Sequence, residues 1–142
     1  MPTYFDSSVV VALLSDEPNS NRAFRLWEGA RRRVGSILLA VESEVAARRI
    51  AAARPALAAD ATARLAEILE EVALKNVDAE VLHLVRSTPD LSRCRSLDAV
   101  HLATALHFAE RSDEPLVVAT FDVRMAEVAA AVGLKVSGVG AG

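Results

Sequence analysis

Cys94 is the only cysteine in this chain, and a single cysteine closes no internal disulfide. Aromatic residues are also scarce, at 4%. The core must therefore come from Ala, Val and Leu, a composition that suits helices packed on a sheet. No apolar run approaches the ~20 residues that a membrane span needs. The N-terminal stretch Met1-Pro2-Thr3-Tyr4-Phe5-Asp6 lacks the basic region and long apolar segment of a signal peptide. No glycine-rich phosphate loop, internal repeat, low-complexity tract or linker is present. A basic excess is missing too. The net charge is −3, which argues slightly against a nucleic-acid binder. These absences leave a cytoplasmic, single-domain protein over residues 1–142 as the expectation, with 138–142 as a flexible tail.

The 142 residues are 52% apolar, enough for a real core. Arginines gather as Arg31-Arg32-Arg33, as Arg48-Arg49 with Arg54, and as Arg93 with Arg95. Such clusters either contact phosphates or form solvated helix faces. Strands are expected at 3–5, 34–38, 74–77, 116–119 and 134–137. Helices are expected at 9–14, 21–32 and 39–53, from Pro55 to about Val72, from Asp78 through Val85, from an N-cap at Ser96 to about Arg111, and after Asp122 until Gly133 stops the last one. Glu44 and Arg48 should form an exposed i,i+4 pair. The alternation of strands and helices predicts an α/β fold with a mostly parallel central sheet and helices on both faces.

Four acids fall where these strands end or buried helices begin: Asp6, Glu42, Asp98 and Asp122. A carboxylate beside apolar sequence is costly unless something pairs with it, and a divalent cation can pair with several at once. Parallel sheets place their sites at the carboxyl ends of strands. Asp6 directly follows the first strand, and Asp122 follows the fourth. They can meet only if those strands are near neighbours. Asp98 opens a helix that is apolar almost all round (Leu97, Val100, Leu102, Leu106, Phe108), so it should point inward. Each acid also has an ordinary explanation. Asp6 and Asp122 could cap helices, Asp98 could complement a helix dipole, and Glu42 could reach solvent. His101 reads as a packed histidine or as a hydrogen-bond partner of the acids. His83 and His107 have no convergent Cys or His for zinc. The arginines on either side of Cys94 could depress its pKa. No partner base is evident, so it reads as a surface thiol.

The segments Tyr4-Phe5-Asp6-Ser7-Ser8, Leu39-Ala40-Val41-Glu42, Leu97-Asp98-Ala99-Val100-His101-Leu102-Ala103-Thr104-Ala105 and Thr120-Phe121-Asp122 stand in a telling order and spacing. In these the chain resembles PIN-domain proteins, most of all VapC-type toxin ribonucleases. The resemblance implies a three-layer, Rossmann-like fold and a metal-dependent endoribonuclease. It implies that Asp6, Glu42, Asp98 and Asp122 form the site, with Asp6 and Asp98 as direct ligands of Mg²⁺ or Mn²⁺. Ser8 and Thr120 match small hydroxyl positions beside the acids. Arg93, Arg95 and Arg124 are the candidates for RNA phosphate contacts. The implied partners are an RNA substrate (tRNA being the family-level expectation), a small cognate antitoxin and a second copy of the chain, with no membrane.

Non-enzymatic alternatives share parts of this pattern. A Mg²⁺-binding phosphoacceptor domain would want an acidic pair at the end of its first strand and a lysine on a late loop. Here Ser7 follows Asp6, and the only lysines are Lys75 and Lys135. A haloacid dehalogenase-type phosphatase would want an Asp where Ser8 stands. A PIN fold that only binds a partner has no need of all four acids.

Overall fold

A computed structural model describes residues 1–139. Five parallel strands run β1 (Pro2–Phe5), β2 (Arg32–Ser36), β3 (Ala73–Lys75), β4 (Val117–Thr120) and β5 (Lys135–Gly138), and lie in the order β3-β2-β1-β4-β5. Seven helices connect and cover them: α1 (Ser7–Leu14), α2 (Ser20–Gly29), α3 (Ile37–Ala53), α4 (Ala58–Glu70), α5 (Ala79–Ser87), α6 (Ser96–Glu110) and α7 (Val123–Ala131). The chain is the three-layer α/β fold expected, with an all-parallel sheet.

Alternation along the central strands separates two cores. Tyr4 faces one side with Val34, Leu102, Val118 and Met125, under α5, α6 and α7. Phe5 faces the other with Val9, Trp27, Leu39, Leu65 and Ala119, under α1 to α4. The register matches: Tyr4 pairs with Val34 and Val118, and Phe5 with Ala119. Both faces of β1 are dry, so all of its residues are buried.

Several boundaries differ from expectation for local reasons. The second helix stops at Gly29, and Arg32 and Arg33 belong to β2. Extended there, Arg33 lies over the Trp27 ring, donates to the Trp27 carbonyl and pairs with Glu71. The arginine triplet is therefore not a helix face. Phe24 is exposed, and α2 buries Ala23 and Trp27 instead. The Ser36 hydroxyl accepts from Leu38 N–H (3.1 Å), which starts α3 at Ile37 and ends β2 early. Ser96 is the first residue of α6, not its N-cap; Arg95 holds the cap position. Pro55–Leu57 and Pro89–Arg93 are short 3₁₀ turns. Among the described residues no ion pair joins Glu44 to Arg48. Gly138, expected in a frayed tail, ends β5 and is buried. Residues 140–142 of that expected tail lie outside the described residues. Among the described residues no helix is long and apolar enough to cross a membrane.

Candidate acidic site at the carboxyl end of the sheet

β1 is the third of five strands and pairs with both β2 and β4. The chain order reverses here, and such a switch point opens a crevice at the strand carboxyl ends. Asp6 and Asp122 follow neighbouring strands, so the condition for their meeting is satisfied. The backbone continues this pairing past the strand, because Asp6 N–H donates to the Ala119 carbonyl (3.1 Å).

Asp6 is buried, and two hydroxyls lock its carboxylate. Ser8 Oγ donates to Asp6 Oδ2 at 2.8 Å, and Thr120 Oγ1 donates to the same oxygen at 2.7 Å. Each hydroxyl also accepts from the loop after β4. Phe121 N–H donates to Ser8 Oγ, and Asp122 N–H to Thr120 Oγ1, both at 3.0 Å. The loop carrying Asp122 is thus stitched to the end of β1. Oδ1 of Asp6 has only a long contact with Ser7 Oγ (3.5 Å). Asp6 does not cap α1 with its side chain. Asp122 does cap α7, since Oδ1 accepts from Met125 N–H at 3.0 Å. Its capping role and its place beside Asp98 hold together.

Asp98 sits in the first turn of α6, half-buried beside the fully buried Leu102 and Ala105. Burial, first of all, pushes its carboxyl above the usual range. The negative charges of Asp122, Asp6 and Glu42 add to that, and His101 pulls the other way. These influences place all four acids in one electrostatic neighbourhood. Glu42, on the second turn of α3, is neither lost to solvent nor isolated. His101 Nε2 lies 2.5 Å from its Oε1, and His101 Nδ1 lies 2.6 Å from the Tyr4 hydroxyl. His101 is therefore both a packed histidine and a partner of the acids. Burial and the charges of Asp6 and Glu42 raise the Tyr4 phenol well above its ordinary value, so it stays protonated.

Sequence reasoning gave Tyr4 no role beyond the motif. A signal existed, because a tyrosine in a strand buried on both faces must find a partner for its hydroxyl.

Among the described residues, no lysine or arginine forms an ion pair with any of the four acids. Neither does any group of three or more His, Cys, Asp or Glu side chains stand close enough to hold a metal ion. This donor set does not suit an ion caged entirely by protein. It does suit Mg²⁺, a hard cation that keeps several waters and takes one or two carboxylates. Asp6 has one carboxylate oxygen without a short hydrogen bond, and Asp98 feels the charges of Asp122, Asp6 and Glu42.

Arg93 and Arg124 line one surface pocket with Glu127 and Val128, and both act on Cys94 together with Asp98 and Asp122. Arg93 makes only a loose pair with Asp90 (3.9 Å). Arg95 is exposed at the start of α6. Cys94 departs from expectation. It is half-buried, and burial and the charge of Asp98 outweigh Arg93 and Arg124, so its thiol is pushed up rather than activated. His83 and His107 line a separate pocket with Glu80 and Arg111, without a cysteine.

Residues 3–131 match the family model described as PIN domain. The matched span runs from β1 to the end of α7 and includes all four acids. No curated protein gives a match.

Proposed function

This chain belongs to the PIN-domain family, whose fold is of nuclease type, and from that premise we propose that it is a metal-dependent endoribonuclease. One observation carries the reading. Asp98 feels the charges of Asp122, Asp6 and Glu42, and among the described residues no lysine or arginine forms an ion pair with any of the four. Natural folds avoid unpaired acidic clusters unless something binds there.

Asp6 and Asp98 would hold Mg²⁺ or Mn²⁺, with Glu42 and Asp122 completing the site. When bound, the ion supplies Lewis acidity and neutralises charge that develops during phosphodiester hydrolysis. The chain's own residues do the positioning. Ser8 and Thr120 fix the Asp6 carboxylate, which leaves Oδ1 to act. Asp122 is held by its own capping bond, so its second oxygen is presented from a fixed turn. Arg93, Arg95 and Arg124 would take the flanking phosphates as charge-assisted donors. Single-stranded loops are the accessible RNA targets, and tRNA is the substrate class proposed. Lys75, which a phosphoacceptor domain would want beside its acids, is committed to Asp78 and Glu80 at the start of α5.

Within this reading the protein is the cytoplasmic toxin of a toxin-antitoxin pair, acting as a homodimer. Its antitoxin would block the acids with a basic side chain. The test is purified protein on a mixed RNA pool with Mg²⁺ or Mn²⁺, with EDTA, and as Asp6→Ala. Cleavage should need the ion and should vanish in the variant. Cleavage that ignores both chelator and substitution would refute the mechanism.

A further inference from the structure

We propose that Tyr4 and His101 form a buried hydrogen-bonded strut that fixes the Glu42 carboxylate, which makes both of them positioning residues for the acidic site. The proposal rests on the nuclease reading only for its kinetic consequence.

The direction of each bond is set by the imidazole tautomer, and the proposed strut has the hydrogen on Nε2. An ionised carboxylate can only accept, so His101 Nε2 carries the hydrogen in its 2.5 Å contact with Glu42 Oε1. In a neutral imidazole the other nitrogen then accepts, and the Tyr4 hydroxyl at 2.6 Å is the donor that reaches it. The chain of bonds runs from Tyr4 through His101 to Glu42 and crosses from the central strand through α6 to α3. Both inner members are fully buried, and Glu42 alone meets solvent. The Tyr4 ring meets the imidazole edge-on (centroids 5.9 Å apart, planes at 76°), which holds the imidazole against rotation. Thr104, one turn after His101, donates its hydroxyl to the Val100 carbonyl (2.7 Å), and its side chain and the Ser36 backbone also act on the Tyr4 phenol.

A satisfied network of this kind is rigid, because each member fixes the next one's orientation. Glu42 extends from a helix with several rotatable bonds. Without the strut its carboxylate would sample rotamers away from Asp6 and Asp98. Outer partners that orient acidic or histidine groups typically cost about 10–100-fold in activity or ion affinity when removed.

Two conservative variants test this. Tyr4→Phe keeps the ring in the core and deletes the hydroxyl. His101→Gln keeps an N–H donor at the position of Nε2, and His101→Leu removes it. In ¹⁵N NMR of the metal-free protein, wild-type His101 should show a protonated Nε2 and a bare Nδ1, and Tyr4→Phe should keep that tautomer, held by Glu42, but shift the Nδ1 resonance as its hydrogen bond is lost. On RNA, Tyr4→Phe should lower kcat about ten-fold with KM nearly unchanged, since Tyr4 touches no substrate. His101→Gln should retain more activity than His101→Leu at matched melting temperature. A wild-type ring protonated on Nδ1, or a Tyr4→Phe protein with an unchanged Nδ1 resonance and unchanged kcat, overturns the strut. A wild type that cleaves no RNA with any divalent ion ends the nuclease reading instead. The NMR comparison needs neither RNA nor metal and still decides the strut.

Discussion

Asp98 carries a cost that its surroundings do not offset. Burial and then the charges of Asp122 and Asp6 raise its carboxyl above the usual range. The sign follows directly. A carboxyl whose pKa is higher folded than unfolded binds its proton more readily in the native state. Stability is therefore lost as pH rises from the ordinary carboxyl range through the raised value. In EDTA, Asp98→Asn should melt level with wild type in acid and pull ahead by a few degrees toward neutral pH. Melting curves across that range check it, and a variant that melts lower at pH 7 would mean that the carboxylate has a compensating partner. Asp98 was legible from sequence because its helix is apolar, which left few other reasons for an acid there. Glu42 was not legible that way. Its partner His101 lies 59 residues away, and the bond that orients it depends on a strand-to-helix packing that no local pattern encodes. For Tyr4 the buried strand signalled that its hydroxyl needs a partner, but not that the partner is His101, 97 residues away.

The carboxyl ends of β4 and β5 are locked together through one glycine. Gly138 has φ +111°, in the region that side chains avoid, and an added Cβ would run into the Thr120 backbone carbonyl. The Gly138 carbonyl accepts from the Arg22 guanidinium, which also lies over the Phe121 ring (5.7 Å). Thr120 in turn holds Asp6. Gly138→Ala should therefore cost about 1–3 kcal/mol, from strain and from a carbonyl that cannot yield. Urea denaturation gives the number, with Gly29→Ala as the control. Gly29 ends α2 with open space around it and no positive φ, so that variant should be neutral or slightly stabilising. If both variants behave alike, the contact with Thr120 does not matter. From sequence, the glycines after Ser137 suggested a frayed end. A strand-terminal glycine and a tail glycine look the same until the neighbouring strand is known. Strand order was equally hidden. Periodicity distinguishes a helix from a strand, and it says nothing about which strands pair. Element type was nevertheless largely legible, because long amphipathic helices such as α4 and the apolar β4 carry their own period. Boundaries slipped where a single side chain decided them, as Ser36 did at the start of α3.

Across the whole molecule, no lysine or arginine among the described residues forms an ion pair with Asp6, Glu42, Asp98 or Asp122. The chain carries 16 Lys and Arg against 19 Asp and Glu, so cations are not scarce. Arg31 pairs with Glu114, Arg33 with Glu71, Lys75 with Asp78, and Arg111 with Glu80, none of them one of the four acids. A divalent ion entering the acidic site binds the native state and not the unfolded chain, so it should stabilise the fold by mass action. At an ion concentration near 100 times its dissociation constant the gain is about 2.7 kcal/mol, or roughly 5–10 °C in Tm for a chain of this length. Mg²⁺ or Mn²⁺ should produce this rise in wild type, and Asp98→Asn should lose most of it although its apo form is no less stable. Screening alone would also relieve like-charge repulsion. The comparison therefore needs NaCl at matched ionic strength, which should move both proteins alike and by less. Equal responses to the divalent ion in wild type and Asp98→Asn would separate Asp98 from the ion, and the four acids would then be neighbours without a common ligand.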